Sequence, residues 1–383
     1  MARHLVFVGG GHAHMTALLK CSEYVQRGHR VTLVSPDAYH YYSGMGPGML
    51  SGIYRPRDIR FNIRKMAGDR GASFIEDRVV RVDPARRSLM LQSGKTVSYD
   101  VASFNTGSSV PAGALSGAVG GSGENVYPVK PIINLLKARQ RILEALSSSS
   151  SPGALDIVVI GGGPAGVEIA ANAWRLVHDN GGAARITIVA GKRLMGGLPE
   201  KVCSLVRQSF LKRGISVIEG LRAERVEKDT VLLSGGGELP FDIAFIATGV
   251  RPSSLFRDSG LPTGKDGGLL VNDRLQCVDY PELFGGGDCI SLQGHDLAKV
   301  GVYAVRENEI LFHNLLAALE GGTMRRFEPQ KTYMLIFNMG NGKGILWRDT
   351  TVLDGRLAFI LKNYIDNKFM KKFQVSGERK ETG

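Results

Sequence analysis

Two short apolar runs in this chain break into three consecutive glycines. Leu5-Val6-Phe7-Val8 precedes Gly9-Gly10-Gly11, and Ile157-Val158-Val159-Ile160 precedes Gly161-Gly162-Gly163. After the first triplet, Met15, Leu18 and Leu19 fall at helical spacing, so the pattern reads strand, tight turn, helix. Glycines at 9 and 11 let the backbone turn sharply and come close to a pyrophosphate, which the positive end of the next helix then faces. The second copy fills all three glycine positions with Gly161, Gly163 and Gly166. In the first, His14 stands where the third glycine would be, which implies looser strand-to-helix packing.

Each turn has a matching second strand, Arg30–Ser35 and Arg185–Val189. Such a strand usually ends in an acid that grips a ribose. Ser35 replaces it in the first copy, with Asp37 as fallback. The second reads Val189-Ala190-Gly191-Lys192-Arg193, and its two basic residues suit a 2′-phosphate or are simply solvated. The pairing continues downstream: Tyr99–Gly107 and Phe241–Gly249 both run a strand into Thr-Gly. Leu283-Phe284-Gly285-Gly286-Gly287-Asp288 places an acid after a strand and glycine turn, and Lys299–Arg306 opens a helix.

A length of 383 residues favours two or three domains, and 50 glycines with 43% hydrophobic residues suit an α/β protein rich in tight turns. No apolar run reaches about 18 residues, so no membrane-spanning helix is expected. The first strand begins at Leu5, leaving no room for a signal peptide, which points to the cytoplasm. Cys21, Cys203, Cys277 and Cys289 form no C-x-x-C pair and are expected to be reduced and mostly buried; no metal site is expected. The net charge of +12 concentrates at Arg55, Arg57, Arg60, Arg64, Lys65 and Arg70, and at Lys362, Lys368, Lys371, Lys372, Arg379 and Lys380. Without interleaved aromatics these clusters do not read as a nucleic-acid surface.

Tyr39–Met49 reads as a long loop passing something flat, with a cofactor ring as one candidate. Short strands are expected at Ser73–Ile75, Val79–Val82, Ser88–Leu91 and Val101–Phe104. A small-residue stretch follows at 111–123, then a helix from Pro131 to Leu146 and a serine linker over Ser147–Pro152. Beyond about residue 325, Tyr333–Phe337 and Gly344–Trp347 suggest a hairpin. Leu357, Leu361, Ile365, Phe369 and Phe373 then recur every four residues beside lysines, as in an amphipathic helix with a basic flank. That helix fits a membrane surface, a dimer interface or docking on its own chain equally well.

Gly9–His14, Thr106-Gly107, Gly161–Gly166, Thr248-Gly249 and Gly287-Asp288 together resemble the pyridine nucleotide-disulfide oxidoreductase superfamily, over nearly the whole chain. Within it the chain most resembles type II NADH dehydrogenases and sulfide:quinone oxidoreductases. Tyr42–Gly48 and Gly301–Arg306 are similar to NADH-dehydrogenase-like proteins sometimes fused to selenide, water dikinase. The resemblance implies an α/β fold with two Rossmann-like domains, the second inserted in the first, plus a small C-terminal α+β segment. The FAD-binding domain would span 1–115 and 252–325, the NAD(P)H-binding domain 116–251, and the C-terminal hairpin and helix 326–383.

The same resemblance implies FAD held by Gly9, Gly11, His12, Ala13, Ser35, Pro36, Pro47, Val79, Thr106, Gly107, Gly287, Asp288, Gly301 and Val302. NAD(P)H would be held by Gly161, Gly163, Pro164, Ala165, Gly166, Glu168, Lys192, Arg193 and Gly249. Lys130 is the one catalytic candidate, a cation near the flavin. Hydride would pass from NAD(P)H to FAD, and two electrons would then pass to a quinone or other small acceptor. Sulfide:quinone oxidoreductases use cysteines in the middle and C-terminal regions, where this chain has none between Cys21 and Cys203 or after Cys289. A quinone reductase with a non-nicotinamide donor and a non-enzymatic FAD-binding protein are the competing expectations. Peripheral membrane contact and a homodimer are left open.

Overall fold

The computed structural model describes residues 1–111, 125–148 and 153–381. The small-residue stretch and most of the serine linker expected from the sequence fall outside them. Five strands form one parallel sheet in the spatial order Leu283–Gly285, Val101–Phe104, His4–Val8, Arg30–Ser35, Ser73–Glu76. Five more form a second parallel sheet in the order Val126–Pro128, Ile243–Ile246, Leu155–Ile160, Ala184–Val189, Ser216–Ile218. The orders correspond strand for strand. In each, the strand before the glycine turn is central, flanked by its ribose-side partner and by the strand that ends in Thr-Gly. A three-stranded antiparallel sheet follows each time, Val79–Asp83 with Ser88–Leu91 and Thr96–Ser98, then Ala223–Val226 with Thr230–Leu233 and Glu238–Pro240. Leu283–Gly285 joins the first sheet only after the chain has traversed the whole second sheet.

The glycine turns have concrete steric causes. Gly9 has φ +83°, and a Cβ there would meet the Asn105 carbonyl oxygen at 2.4 Å; at Gly161, with φ +126°, it would meet the Ala247 carbonyl oxygen at 2.4 Å. Both sites are therefore closed to other residues twice over, by backbone conformation and by contact. At Gly166 a Cβ would sit 1.8 Å from the Gly161 carbonyl oxygen. His14 solves the same contact differently. The helix opens with a tight 3₁₀ turn over His12–His14, and the His14 ring is buried with Nδ1 2.6 Å from the Gly9 carbonyl and Nε2 2.8 Å from the Ser103 hydroxyl. An imidazole thus ties turn, helix and neighbouring strand together, and the expected looseness is filled by hydrogen bonds.

Two expectations on local structure are revised. Tyr39–Met49 is not a long loop: Tyr39–Tyr41 pairs with Arg60–Asn62, Ser43–Met45 is a 3₁₀ turn, and Gly46–Ser51 is helical with Pro47 in its first turn. Proline's fixed φ suits that place, where its missing N–H leaves no bond unmade. The C-terminal hairpin gains a third strand, Thr351–Gly355, against Gly344–Arg348.

The last helix, Arg356–Phe373, buries only part of its apolar stripe: Phe369 and Phe373 pack inward, while Leu357, Leu361 and Ile365 are exposed. Its buried line is Ala358, Lys362, Asp366, Met370 and Phe373, while Leu357, Ile360 and Tyr364 are 60–71% exposed. A buried ion pair decides the orientation. Lys362 Nζ donates to Asp366 at 2.7 Å and to the Gly44 carbonyl at 2.7 Å, and the Tyr42 hydroxyl donates to Asp366 at 3.1 Å.

The glycine geometry separates positions that the sequence treats alike. Gly163 has no atom within 4 Å of where a Cβ would project. Gly166→Ala should destabilise the fold by about 1–3 kcal/mol, the usual cost of overpacking, whereas Gly163→Ala should stay within about 0.5 kcal/mol. Denaturant unfolding of both variants checks this, and equal losses would overturn the distinction.

Candidate active site

Both glycine turns open onto one continuous cavity of about 1800 Å³. A single small-molecule pocket usually holds roughly 300–1,000 Å³, so there is room for more than one ligand. Parallel α/β sheets place ligands beyond the carboxyl ends of their strands, and both sheets contribute those ends here.

Most of the residues expected to hold FAD line this cavity: Gly9, Gly11, His12, Ser35, Pro36, Val79, Thr106, Gly107, Gly287, Asp288, Gly301 and Val302. Ala13 and Pro47 do not. Ala13 is fully buried behind the turn, where a Cβ on Gly286 would meet it at 2.7 Å, and Pro47 is buried in its own helix. Of the residues expected to hold nicotinamide nucleotide, Gly161, Gly163, Pro164, Ala165, Glu168 and Gly249 line the cavity, and Gly166 packs behind them. Lys192 and Arg193 lie outside the lining, both exposed. The chain doubles back under the glycine turn, where Met195 N–H donates to the Gly162 carbonyl at 2.7 Å, and this carries both side chains away. Arg193 is instead paired with Glu200.

Lys130 lines the cavity and joins a compact cluster. Its Nζ lies 2.6 Å from Asp288 and 2.8 Å from the Ser108 hydroxyl, which itself donates to Asp288 at 2.6 Å. Burial works against ionisation of Asp288, but the Lys130 charge and these hydrogen bonds outweigh it and hold the carboxyl below its usual range. The helix Gly301–Glu320 points its N-terminus at the same space, with Gly301, Val302, Ala304 and Val305 in the lining. Its free amides make that wall positive.

Sequence reasoning missed the far wall as a set. His12 and His40 meet edge to face with centroids 4.7 Å apart, and their Nδ1 and Nε2 are 3.3 Å apart. Phe369 stacks on Tyr42 at 5.0 Å and on His12 at 5.8 Å. Burial pushes His12 down to about 4, so the ring is neutral near pH 7. Glu168 accepts the Asn338 N–H at 2.7 Å, and burial raises its carboxyl to about 7, against the opposing pull of Lys362 and that hydrogen bond. Lys362 and Asp366 line the same wall. The i,i+4 spacing of that pair in a helix was the available signal, but the lysine was grouped with the surface charges.

The residues present fit a flavin dinucleotide. A Cβ on Gly9 or Gly11 would close the first cradle against Asn105. The buried polar atoms His12 Nε2, Asn105 Nδ2 and Thr248 Oγ1 have no protein partner, and all three residues line the cavity. No cysteine lines it. The four thiols are buried and unbridged, and burial raises Cys289, next to Asp288, to about 11.

Comparison with known proteins agrees with this geometry. Ferroptosis suppressor protein 1 of Taeniopygia guttata is 25% identical over 323 residues, 81% of this chain and 79% of that protein. The type II NADH:quinone oxidoreductase of Haemophilus influenzae is 23% identical over 367 residues, 81% of this chain and 82% of its own. The structure of NDH2 from Plasmodium falciparum in complex with NADH superposes with a TM-score of 0.81 at 15% identity, covering 99% of this chain and 98% of that one. The family match itself runs over residues 3–307, from the first strand into the helix that closes the flavin side of the cavity. With both dinucleotide turns inside that span, the chain belongs to the pyridine nucleotide-disulphide oxidoreductase family.

Proposed function

We propose that this protein is an FAD-dependent NAD(P)H dehydrogenase that delivers two electrons to a quinone-class acceptor without a thiol relay. The observation that carries the reading is the single cavity, which joins two dinucleotide cradles to an aromatic wall and contains no cysteine. We assign 1–115 with 252–325 to the flavin domain, 116–251 to the nicotinamide domain and 326–383 to the acceptor side. The kinship with the quinone oxidoreductase of Haemophilus influenzae supports this acceptor class.

Bound FAD supplies the two-electron carrier between a hydride donor and an acceptor. The chain's own residues do the rest. Gly9 and Gly11 would admit its pyrophosphate to the backbone, and Asp288, kept ionised by Lys130, would accept from its ribityl hydroxyls. The N-terminus of the Gly301–Glu320 helix would favour negative charge on a reduced flavin, an effect worth up to about 2 kcal/mol when partly buried, and Lys130, paired with Asp288, would stand beside it. Gly161, Gly163 and Gly249 would seat the nicotinamide dinucleotide. Reducing a quinone to a quinol consumes two protons with the two electrons. Glu168, protonated below about pH 7, stands in the cavity wall as the source of one, and solvent supplies the other.

The exposed Leu357, Ile360, Leu361 and Tyr364 lie on the same helix as Ile365 and Phe369, which line the cavity. Lys368 and Lys371 add positive charge beside them. Among the described residues no helix is long and apolar enough to cross a membrane. The patch fits peripheral contact with an anionic lipid surface from which an apolar acceptor enters. Vesicles of mixed zwitterionic and anionic lipid should co-sediment the protein at low salt, and Leu357→Ser with Ile360→Ser should abolish this. Absence of binding by the unaltered protein would end the membrane assignment.

Asp288→Ala should loosen the flavin by roughly tenfold to a hundredfold, since a hydrogen bond to a charged group is worth about 1.5–3 kcal/mol. The flavin-to-protein absorbance ratio after desalting reads this directly, and stoichiometric yellow protein would show that Asp288 is misplaced. The acceptor half-reaction should slow as pH rises through about 7, because Glu168 then loses its proton. Glu168→Gln should flatten that profile, with anaerobic flavin reduction by nicotinamide as the control. An unchanged profile would remove Glu168 from the proton supply.

A further inference from the structure

The adenosine end of the second cradle is built in an unusual way. Ala190 follows the strand Ala184–Val189 at the position where an acid would accept from ribose hydroxyls. The loop after the next strand, Ser216–Ile218, is laced to that turn: Ala190 N–H donates to the Ile218 carbonyl at 2.8 Å, and Gly220 N–H to the Gly191 carbonyl at 2.6 Å. This lacing carries the chain to Arg222, whose amide donates to the Ser234 hydroxyl at 2.9 Å. Arg222 and Ala223 then line the cavity beside Val189, Ala190 and Gly191.

No carboxylate shares that part of the lining. Glu219 is outside it, held by the Leu194 N–H at 2.6 Å and by Arg207 at 2.9 Å. Glu224, two residues beyond Arg222, is also outside it. The lining acids Asp37, Glu76, Asp77 and Asp288 stand at or just after strand ends of the first sheet, Asp258 ends the short helix Leu255–Asp258, whose next residue Ser259 accepts the Val82 N–H of the first antiparallel sheet, and Glu168 and Asp366 come from the helices Pro164–Asp179 and Arg356–Phe373. A ribose 2′-hydroxyl would find no carboxylate acceptor beside Ala190. A 2′-phosphate, carrying about −1.5 to −2 charge at pH 7, would find a guanidinium whose fork matches its oxygens.

We propose that Arg222 reads the 2′-phosphate and makes NADPH the preferred donor, the role that the sequence alone suggested for Lys192 and Arg193. This rests on the nicotinamide-donor reading above. Arg222 is exposed at the cavity rim, so its effect is screened by salt. It acts on affinity rather than on the hydride step.

The test uses the flavin-loaded full chain. Calorimetric titration with 2′,5′-ADP and with 5′-AMP gives the ratio of their dissociation constants. Anaerobic bleaching with NADPH and NADH gives the donor preference. The unaltered protein should bind 2′,5′-ADP at least about tenfold tighter than 5′-AMP, as one charge-assisted contact allows. Arg222→Ala should bring the ratio near one, Arg222→Lys should restore part of it, and Lys192→Ala with Arg193→Ala should leave it intact. The assignment is overturned if the unaltered protein shows no gap, if the gap survives Arg222→Ala, or if it vanishes in the Lys192/Arg193 variant. Bleaching by both donors alike would overturn Arg222 alone. Failure of both donors to bleach the flavin, with no nucleotide bound, would overturn the nicotinamide-donor reading together with it.

Discussion

The fold rests on two backbone contacts too close for any side chain, Gly9 against the Asn105 carbonyl and Gly161 against the Ala247 carbonyl. Each brings the turn after a central strand onto the end of its neighbour. Each also turns the first amides of a helix toward the space beyond the sheet. Space and positive potential are thus made by the same constraint, and a dinucleotide pyrophosphate satisfies both. Having this contact twice in one chain, with a shared cavity between, is what makes electron transfer between two bound dinucleotides geometrically available.

Charge placement then differs along the cavity. Beside Gly287, Asp288 is kept ionised by Lys130 and Ser108, while Glu307, whose carboxylate takes the Gly287 N–H at 2.5 Å, is raised by burial to about 7. Two carboxyl groups on neighbouring elements are held in different protonation ranges, because one has a cation beside it and the other is buried among apolar atoms. Beside the last helix the logic repeats, with Glu168 raised and the Lys362–Asp366 pair buried. A buried ion pair is poor evidence of stability, since desolvation opposes it. Its effect here is orientation: the polar pair takes inward positions on the last helix, and Leu357, Ile360 and Tyr364 are left exposed.

The parts legible in the sequence were those fixed by local rules. Glycine spacing, the strand before it and the Thr-Gly strand ends are short-range patterns, and they placed both sheets and most of the cavity lining. The parts that were not legible depend on partners far away in the chain. Lys192 and Arg193 sit where a sequence rule expects a phosphate contact, but a hydrogen bond from Met195 to Gly162 carries them away. Arg222 reaches the cavity only because two backbone bonds lace its loop to the turn after Val189. Apolar periodicity identifies the last helix but leaves open what its stripe faces, because the buried Lys362–Asp366 pair and its bond to Gly44 involve a segment 318 residues earlier in the chain.

The absence of cysteine from the lining bears on the direction of flow. Enzymes that reduce disulfides place a thiol pair between flavin and substrate, and the segment Tyr39–Gly44 together with His12 occupies the cavity wall here with rings and backbone instead. Neutral His12 and stacked Tyr42 and Phe369 offer flat ring surface and no thiol. On the reading proposed above, an acceptor against that wall takes its electrons directly, which suits a molecule that is flat, itself reducible by two electrons, and able to take a proton from Glu168. A quinone meets all three conditions. On the same reading, the exposed apolar residues of the adjoining helix offer an approach to an acceptor that dissolves poorly in water, since each methylene kept from water on the way in is worth about 0.8 kcal/mol.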